Sequence, residues 1–260
     1  MGSEVVKVRR SAGVAYVDLA RPEVRNAFNA ELIALLTTLC DELAVDDGVR
    51  AVVLGGEGNV FSAGADVQWM RASLELSEAE NLDDARRMSQ MFRAIDGLPK
   101  VVVGRIHGAA LGGGAGLTAV CDVAIAAEDT TFGLTETKLG IMPAVISPFM
   151  LAKVGATHMR ALALTGERFT AQRAHAIGLV HEVVAESELN DAVARVVAEV
   201  RSASPSGVAA TKALLRGIAG RAYDETLEPT ATAIAKQRTS VEGQEGLRAV
   251  LERRKAAWAL

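Results

Sequence analysis

The sequence is poor in aromatic residues: Phe, Trp and Tyr make up only 4% of its 260 residues, so a core has to be assembled from Ala, Val, Leu and Ile. It has two cysteines, Cys40 and Cys121, far apart and with no His or Cys at ligand spacing, which argues against a disulfide framework or a metal site. Cys40 falls on the apolar side of a predicted helix and Cys121 opens an apolar run, both ordinary settings for buried thiols in a reducing, cytoplasmic environment. No run of about 18 apolar residues occurs, so no membrane span is expected. Residues 1–10 carry neither the apolar segment of a secretory signal nor the Arg- and Ser-rich lead of a transit peptide. Neither sign of charge dominates. A net charge of −4 with both signs interspersed gives no reason to expect a nucleic-acid partner, although a local basic pocket for a phosphorylated group stays allowed.

What the chain does have is half its residues apolar, arranged in two periodicities. Residues 5–9 and 14–19 read as a β-hairpin across Arg10-Ser11-Ala12-Gly13. Asn29 is a candidate N-cap for a helix whose apolar stripe is Leu32, Leu35, Leu36, Leu39 and Leu43. Residues 50–54, 100–106 and 122–127 read as buried strands, separated by glycine-broken loops and by a helix that starts at the capping box Ser77-Glu78-Ala79-Glu80. This alternation predicts an α/β fold. From residue 187 onward the pattern is helical, over about 187–202, from Ser204-Pro205, over 224–238 and over 242–258. A boundary near Ser202 therefore divides an α/β core, 1–202, from a helical part, 203–260, too thin to fold without packing on the core or on a neighbouring subunit.

Two segments bear on chemistry. Phe61-Ser62-Ala63-Gly64-Ala65-Asp66 follows a strand and precedes a short apolar helical turn from Val67. Its small residues let the backbone approach a ligand, and the Ala65 N–H at a helix start would carry the positive end of the helix dipole. Asp66 is placed to cap that helix. The second segment, Gly112-Gly113-Gly114-Ala115-Gly116-Leu117, also lies between strand and helix. A dinucleotide-binding reading fails because Leu117 stands where the last glycine of G-x-G-x-x-G would fall, and a P-loop fails because no Gly-Lys-Ser/Thr follows. Either segment alone is only a turn.

Taken together they say more. The two segments, with Cys121-Asp122, Phe132-Gly133-Leu134-Thr135-Glu136, Leu139-Gly140-Ile141-Met142-Pro143, Thr165-Gly166-Glu167, Glu242-Gly243 and the run from Arg253 to Trp258, resemble the crotonase family of enoyl-CoA hydratases and isomerases over essentially the whole chain. The resemblance implies a crotonase-like ββα spiral core with a C-terminal helical trimerisation region, assembled as a homotrimer or homohexamer. It implies an acyl-CoA thioester as substrate and no separate cofactor, coenzyme A being part of the substrate. It makes the N–H groups of Ala65 and Gly113 an oxyanion hole for the thioester carbonyl. It brings the Ala63 backbone to the adenine and Arg25 and Lys255 to the CoA phosphates. Ala27, Asp66, Val67, Gly112 and Gly116 fall at the same substrate site.

Hydratases of that family carry two glutamates, and this chain keeps only the one at Glu136; the position of the other is Gly116. A single carboxylate suffices to move a proton between two carbons and can serve hydration if a substrate group or a water takes the missing role. The run from Thr135 to Pro148 resembles 3-methylglutaconyl-CoA and related branched-chain hydratases of leucine breakdown. We therefore expect a lyase that hydrates a 2-enoyl-CoA, with Glu136 as acid–base residue and space beside Gly116 for a branched or carboxylated acyl group. A Δ3,Δ2-enoyl-CoA isomerase is the next reading, and a catalytically silent acyl-CoA binder the third. None of the four histidines matches a family catalytic position; only His107, beside the glycine segment, is close to one of these motifs.

Overall fold

A computed structural model describes residues 5–259. The expected hairpin forms, but β1 (Val6–Ser11) runs two residues further than read and joins β2 (Val14–Leu19) by a two-residue turn in which Ala12 and Gly13 both take positive φ. That geometry matches the right-handed twist of paired strands. Asn29 caps α1 (Ala30–Val45), its Oδ1 accepting from the Leu32 N–H at 2.9 Å, and Leu32, Leu36 and Leu43 of the stripe are buried. Next come β3 (Ala51–Gly56), α2 (Val67–Ser73) and α3 (Glu78–Gly97), the last opening on the expected Ser77/Glu80 capping box. β4 (Val101–Ile106), β5 (Ala109–Leu111), α4 (Gly113–Val120), β6 (Val123–Ala127) and β7 (Thr131–Gly133) complete the glycine-rich half. They are followed by α5 (Ser147–Thr165), β8 (Arg168–Thr170), α6 (Ala171–Ala176), β9 (Glu182–Val184) and the helices α7 (Leu189–Ser202), α8 (Pro205–Ile218), α9 (Leu227–Thr239) and α10 (Val241–Leu251).

The strands form a six-stranded sheet in the order β1-β2-β3-β4-β6-β9, parallel except for the hairpin, and a three-stranded sheet β5-β7-β8. Both faces of the large sheet are covered. Val14, Val53, Val103, Ile125 and Ala127 pack under Leu189, Ala192, Val193 and Val197 of α7. Their neighbours Ala15, Val17, Val52, Leu54, Val102, Ala124 and Ala126 face the main core with α1, α3 and α4. This two-sided burial is why the strands read as unbroken apolar runs rather than as alternating ones.

The sequence reading overextends the last helix. α10 stops at Leu251, Arg253 takes a left-handed φ of 54°, and the tail folds back so that Arg254 pairs with Glu245 at 2.6 Å. The Trp258 ring then rests on Gly246. Apolar residues spaced by folding back and by helical period are indistinguishable in a linear pattern.

Candidate active site

The segment from Phe61 to Asp66 is held on two sides. Ser62 bridges β5, its N–H donating to Ala109 O at 3.0 Å and its carbonyl accepting from the Leu111 N–H at 3.0 Å. On the other side Phe28 donates to Gly64 O at 2.7 Å and accepts from the Asp66 N–H at 2.9 Å. Because those two bonds flank Ala65, the N–H of Ala65 itself points away from Phe28, and it has no acceptor among the described residues. Gly112 is tied to β7 by its bond to Gly133 O at 2.8 Å. Gly113 then opens α4, where first-turn N–H groups lack an intrahelical acceptor. Its N–H, too, has no acceptor among the described residues.

Close approach explains the glycines. A Cβ on Gly113 would lie 2.4 Å from the Phe28 ring, one on Gly114 2.6 Å from Ser62 O, and one on Gly64 2.9 Å from Leu111 O. Gly64 also takes φ +91° and Gly112 φ +51°, both in the region that L side chains avoid. The two donor segments are thus packed backbone against backbone.

Glu136 heads the short turn Glu136–Leu139, and its Oε1 stands 3.2 Å from where a Cβ on Gly112 would be. Its Oε2 is buried with no hydrogen-bond partner among the described residues. Burial pushes its carboxyl above the usual range, and the backbone N–H of Glu136 offsets this only in part. Ala63, Gly64, Ala65, Gly112, Gly113 and Glu136 all line one cavity of about 420 Å³. Its remaining walls are mainly apolar, from Phe28, Trp69, Met70, Met88, Met142 and Ile146. The site therefore offers two unpaired backbone N–H groups beside the Glu136 carboxylate, an arrangement suited to placing negative charge on a carbonyl oxygen while a proton moves at a neighbouring carbon. Asp84, paired with Arg87, is a second carboxylate in the lining.

Residues 9–259 match the enoyl-CoA hydratase/isomerase family. The chain belongs to that family. An enoyl-CoA hydratase structure from Shewanella pealeana is 35% identical, superposes with a TM-score of 0.94 and is matched over 96% of its length and 98% of this chain. The Pseudomonas aeruginosa AtuE structure is 36% identical with a TM-score of 0.94, covering 99% of this chain and all of that one. The Escherichia coli (strain K12) 2,3-dehydroadipyl-CoA hydratase is 33% identical over 82% of each chain. Crotonase-fold architecture and membership of an acyl-CoA enzyme family are thereby given.

In this family member, Gly116 departs from expectation. The open space expected beside it is absent, because a Cβ there would meet Ile146 Cγ2 at 2.3 Å and Phe92 Cε1 at 3.1 Å. Gly116 is buried within α4 and does not line the cavity. Packing fills the room that a missing side chain leaves. Of the other sequence-predicted residues, Asp66 is buried and caps α2, accepting from the Gln68 N–H at 2.7 Å. Ala27 is buried nearby, Val67 is 70% exposed on α2, and Arg25 and Lys255 are exposed on the surface. None of these five lines the cavity.

Sequence reasoning gave no role to Arg21 and Asn26, which hold the loops. Arg25 and Asn26 both take positive φ, a strain of about 1–2 kcal/mol each. Asn26 offsets it: its side chain accepts from the Arg21 N–H at 2.9 Å and donates to Glu57 O at 2.8 Å and Val60 O at 2.9 Å. The Arg21 guanidinium in turn pairs with Asp66 at 2.7 Å, both side chains being largely buried. Burial works against the Asp66 charge, but Arg21 and the Gln68 N–H outweigh it and hold that carboxyl below the usual range. The pairing spans 45 residues and has no local pattern that could announce it. His107 is structural: its Nε2 lies 3.0 Å from Gly58 O, and it is outside the cavity lining.

Proposed function

We propose that the chain is a hydratase of 2-enoyl-CoA thioesters, branched ones among them, with Glu136 as its acid–base residue and the N–H groups of Ala65 and Gly113 as its oxyanion hole. The observation that carries this reading is the half-buried Glu136, whose Oε2 is buried without a hydrogen-bond partner, sharing one cavity with two unpaired backbone N–H groups. Water attacks the β-carbon as Glu136 takes one of its protons, and the thioester carbonyl becomes an enolate held by the two N–H groups. Glu136 then delivers that proton to the α-carbon, so water is added in full and the carboxylate is regenerated. The two donors favour the charged intermediate over the ground state, which is what lowers the barrier. The Ala63 carbonyl, unpaired among the described residues, is free to accept from the adenine amino group, and Arg25 and Lys255 supply charge for the CoA phosphates. The branched class, 3-methylglutaconyl-CoA included, rests on the resemblance of the run from Thr135 to Pro148.

A second reading, Δ3,Δ2-enoyl-CoA isomerisation by the same carboxylate, is favoured by Gly116 itself, which brings no carboxylate and is packed against the hydrocarbon of Ile146 and Phe92. Leu215, Leu227, Val250 and Leu251 are exposed on the C-terminal helices, which supports self-association through residues 203–260, and the family resemblance makes the assembly a trimer or hexamer. The buried, unpaired Cys40 and Cys121 fit a reducing, cytoplasmic setting; residues 1–4 and 260 lie outside the described chain. Purified protein is to be mixed with crotonyl-CoA, 3-methylglutaconyl-CoA and a 3-enoyl-CoA while absorbance of the conjugated thioester is followed. Loss of absorbance supports hydration. A gain from the 3-enoyl substrate alone selects isomerisation, and tight acyl-CoA binding without any change leaves a silent binder.

A further inference from the structure

We propose that Ile146 is the specificity-determining residue of the acyl cavity, a plug seated on Gly116 that closes the inner end and restricts the enzyme to short acyl groups. This rests on the acyl group of the proposed substrate occupying the cavity beside Glu136. Ile146 lines the cavity and is only 3% exposed. Gly116 and Phe92 lie directly behind it and do not line the cavity. The side chain therefore stands between the cavity and a surface made of glycine backbone and an aromatic edge.

Three features make this plug firm. Ile is β-branched, so its side chain has few rotamers to retreat into. Its backbone is fixed where the chain enters α5: Ser147 Oγ donates to Pro143 O at 2.6 Å, the Ser147 N–H to Ala144 O at 3.2 Å, and the Met150 N–H to Ile146 O at 3.0 Å. Behind it Phe92 is held between Phe28 and Phe149, with ring centroids 6.2 and 6.0 Å away. Gly116 contributes no side chain that could swing into a space vacated by Ile146. Shortening Ile146 thus adds its volume to the cavity instead of letting neighbours collapse into it. The reverse change acts in the opposite direction. A methyl group on Gly116 would sit 2.3 Å from Ile146 Cγ2, so that atom has to move about 1.1 Å, towards the cavity, to regain an ordinary 3.4 Å contact.

The test measures kcat/KM for trans-2-enoyl-CoA substrates of four, six, eight and ten carbons in the unaltered protein and in Ile146→Val, Ile146→Ala and Gly116→Ala. A hydrophobic pocket discriminates by about 10-fold or more per methylene group. Ile146→Ala is expected to raise the eight- to four-carbon ratio at least about tenfold, with Ile146→Val shifting it less in the same direction. Gly116→Ala is expected to lower the ratio. A ratio unchanged within about threefold in Ile146→Val and Ile146→Ala, with native circular dichroism, overturns the assignment of Ile146. If the unaltered protein turns over none of the substrates, it is the hydratase reading that fails. The plug is then read by calorimetric Kd values for saturated acyl-CoAs of the same lengths, where an unchanged dependence on length in the Ile146 variants overturns it as well.

Discussion

Gly64 has no functional group, yet the packing makes it a sensitive point of the site. In Gly64→Ala the new methyl would lie 2.9 Å from Leu111 O, about 0.5 Å inside ordinary contact, and 3.7 Å from the Gly113 nitrogen. Leu111 O belongs to the strand that leads into the second donor segment, and it cannot yield without moving Gly112 and Gly113. The left-handed φ of +91° adds about 1–2 kcal/mol of backbone strain. The expected result is that the two donor segments separate and one donor falls out of line, at a cost of about 10²–10³ in kcat. Gly220→Ala is the matched control: it has φ +74° with nothing within 4 Å of the added methyl, so it carries the strain without the collision. It should lose about 1–2 kcal/mol of stability and no turnover. Initial rates with crotonyl-CoA and urea unfolding of both variants make the comparison. A folded Gly64→Ala protein whose kcat stays within about threefold of the unaltered enzyme would refute the claim that this contact sets the donor geometry.

Other outcomes follow from the same structure. Glu136→Gln should cost about 10²–10⁴ in kcat while acyl-CoA binding measured by calorimetry persists. Burial raises the Glu136 pKa in the folded protein, so this group's contribution to stability is fully present below about pH 4.3 and is lost as pH rises through the folded value. Glu136→Gln should therefore gain Tm over the unaltered protein at pH 7 and lose that advantage near pH 4. Arg21→Ala leaves Asp66 buried without its partner and should destabilise by about 3 kcal/mol. Asp66 is the opposite case in sign, with a depressed pKa whose stabilisation is present above about pH 3.9 and lost as pH falls through the folded value; acid unfolding of Arg21→Ala should begin at higher pH. Burial pushes the Cys40 and Cys121 thiols up to about 12, so a disulfide reagent at pH 8 should label neither until urea unfolds the chain.

Much of this protein could be read from its sequence because the determinants were local. The Asn29 and Ser77 caps, the α1 leucine stripe, the N-terminal hairpin and the buried strands all depend on residues a few positions apart. The two glycine segments and Glu136 were likewise visible as motifs, and the cavity brings them together across 72 residues of chain. The space beside Gly116 was not legible. A glycine announces that its own side chain is missing, but which group fills the vacancy depends on what the fold carries there, and here that is Ile146, 30 residues further on. The Arg21–Asp66 pair and the Asn26 clamp were hidden for the same reason, since charge pairing and close packing act through space and leave no periodic trace. Sequence alone thus pointed to the backbone N–H groups and the Glu136 carboxylate that the fold brings into one cavity, and it missed Asp84 in the same lining. Tertiary packing decided how much room lies beside them, because close-packed volume is settled between segments that meet only in the folded chain.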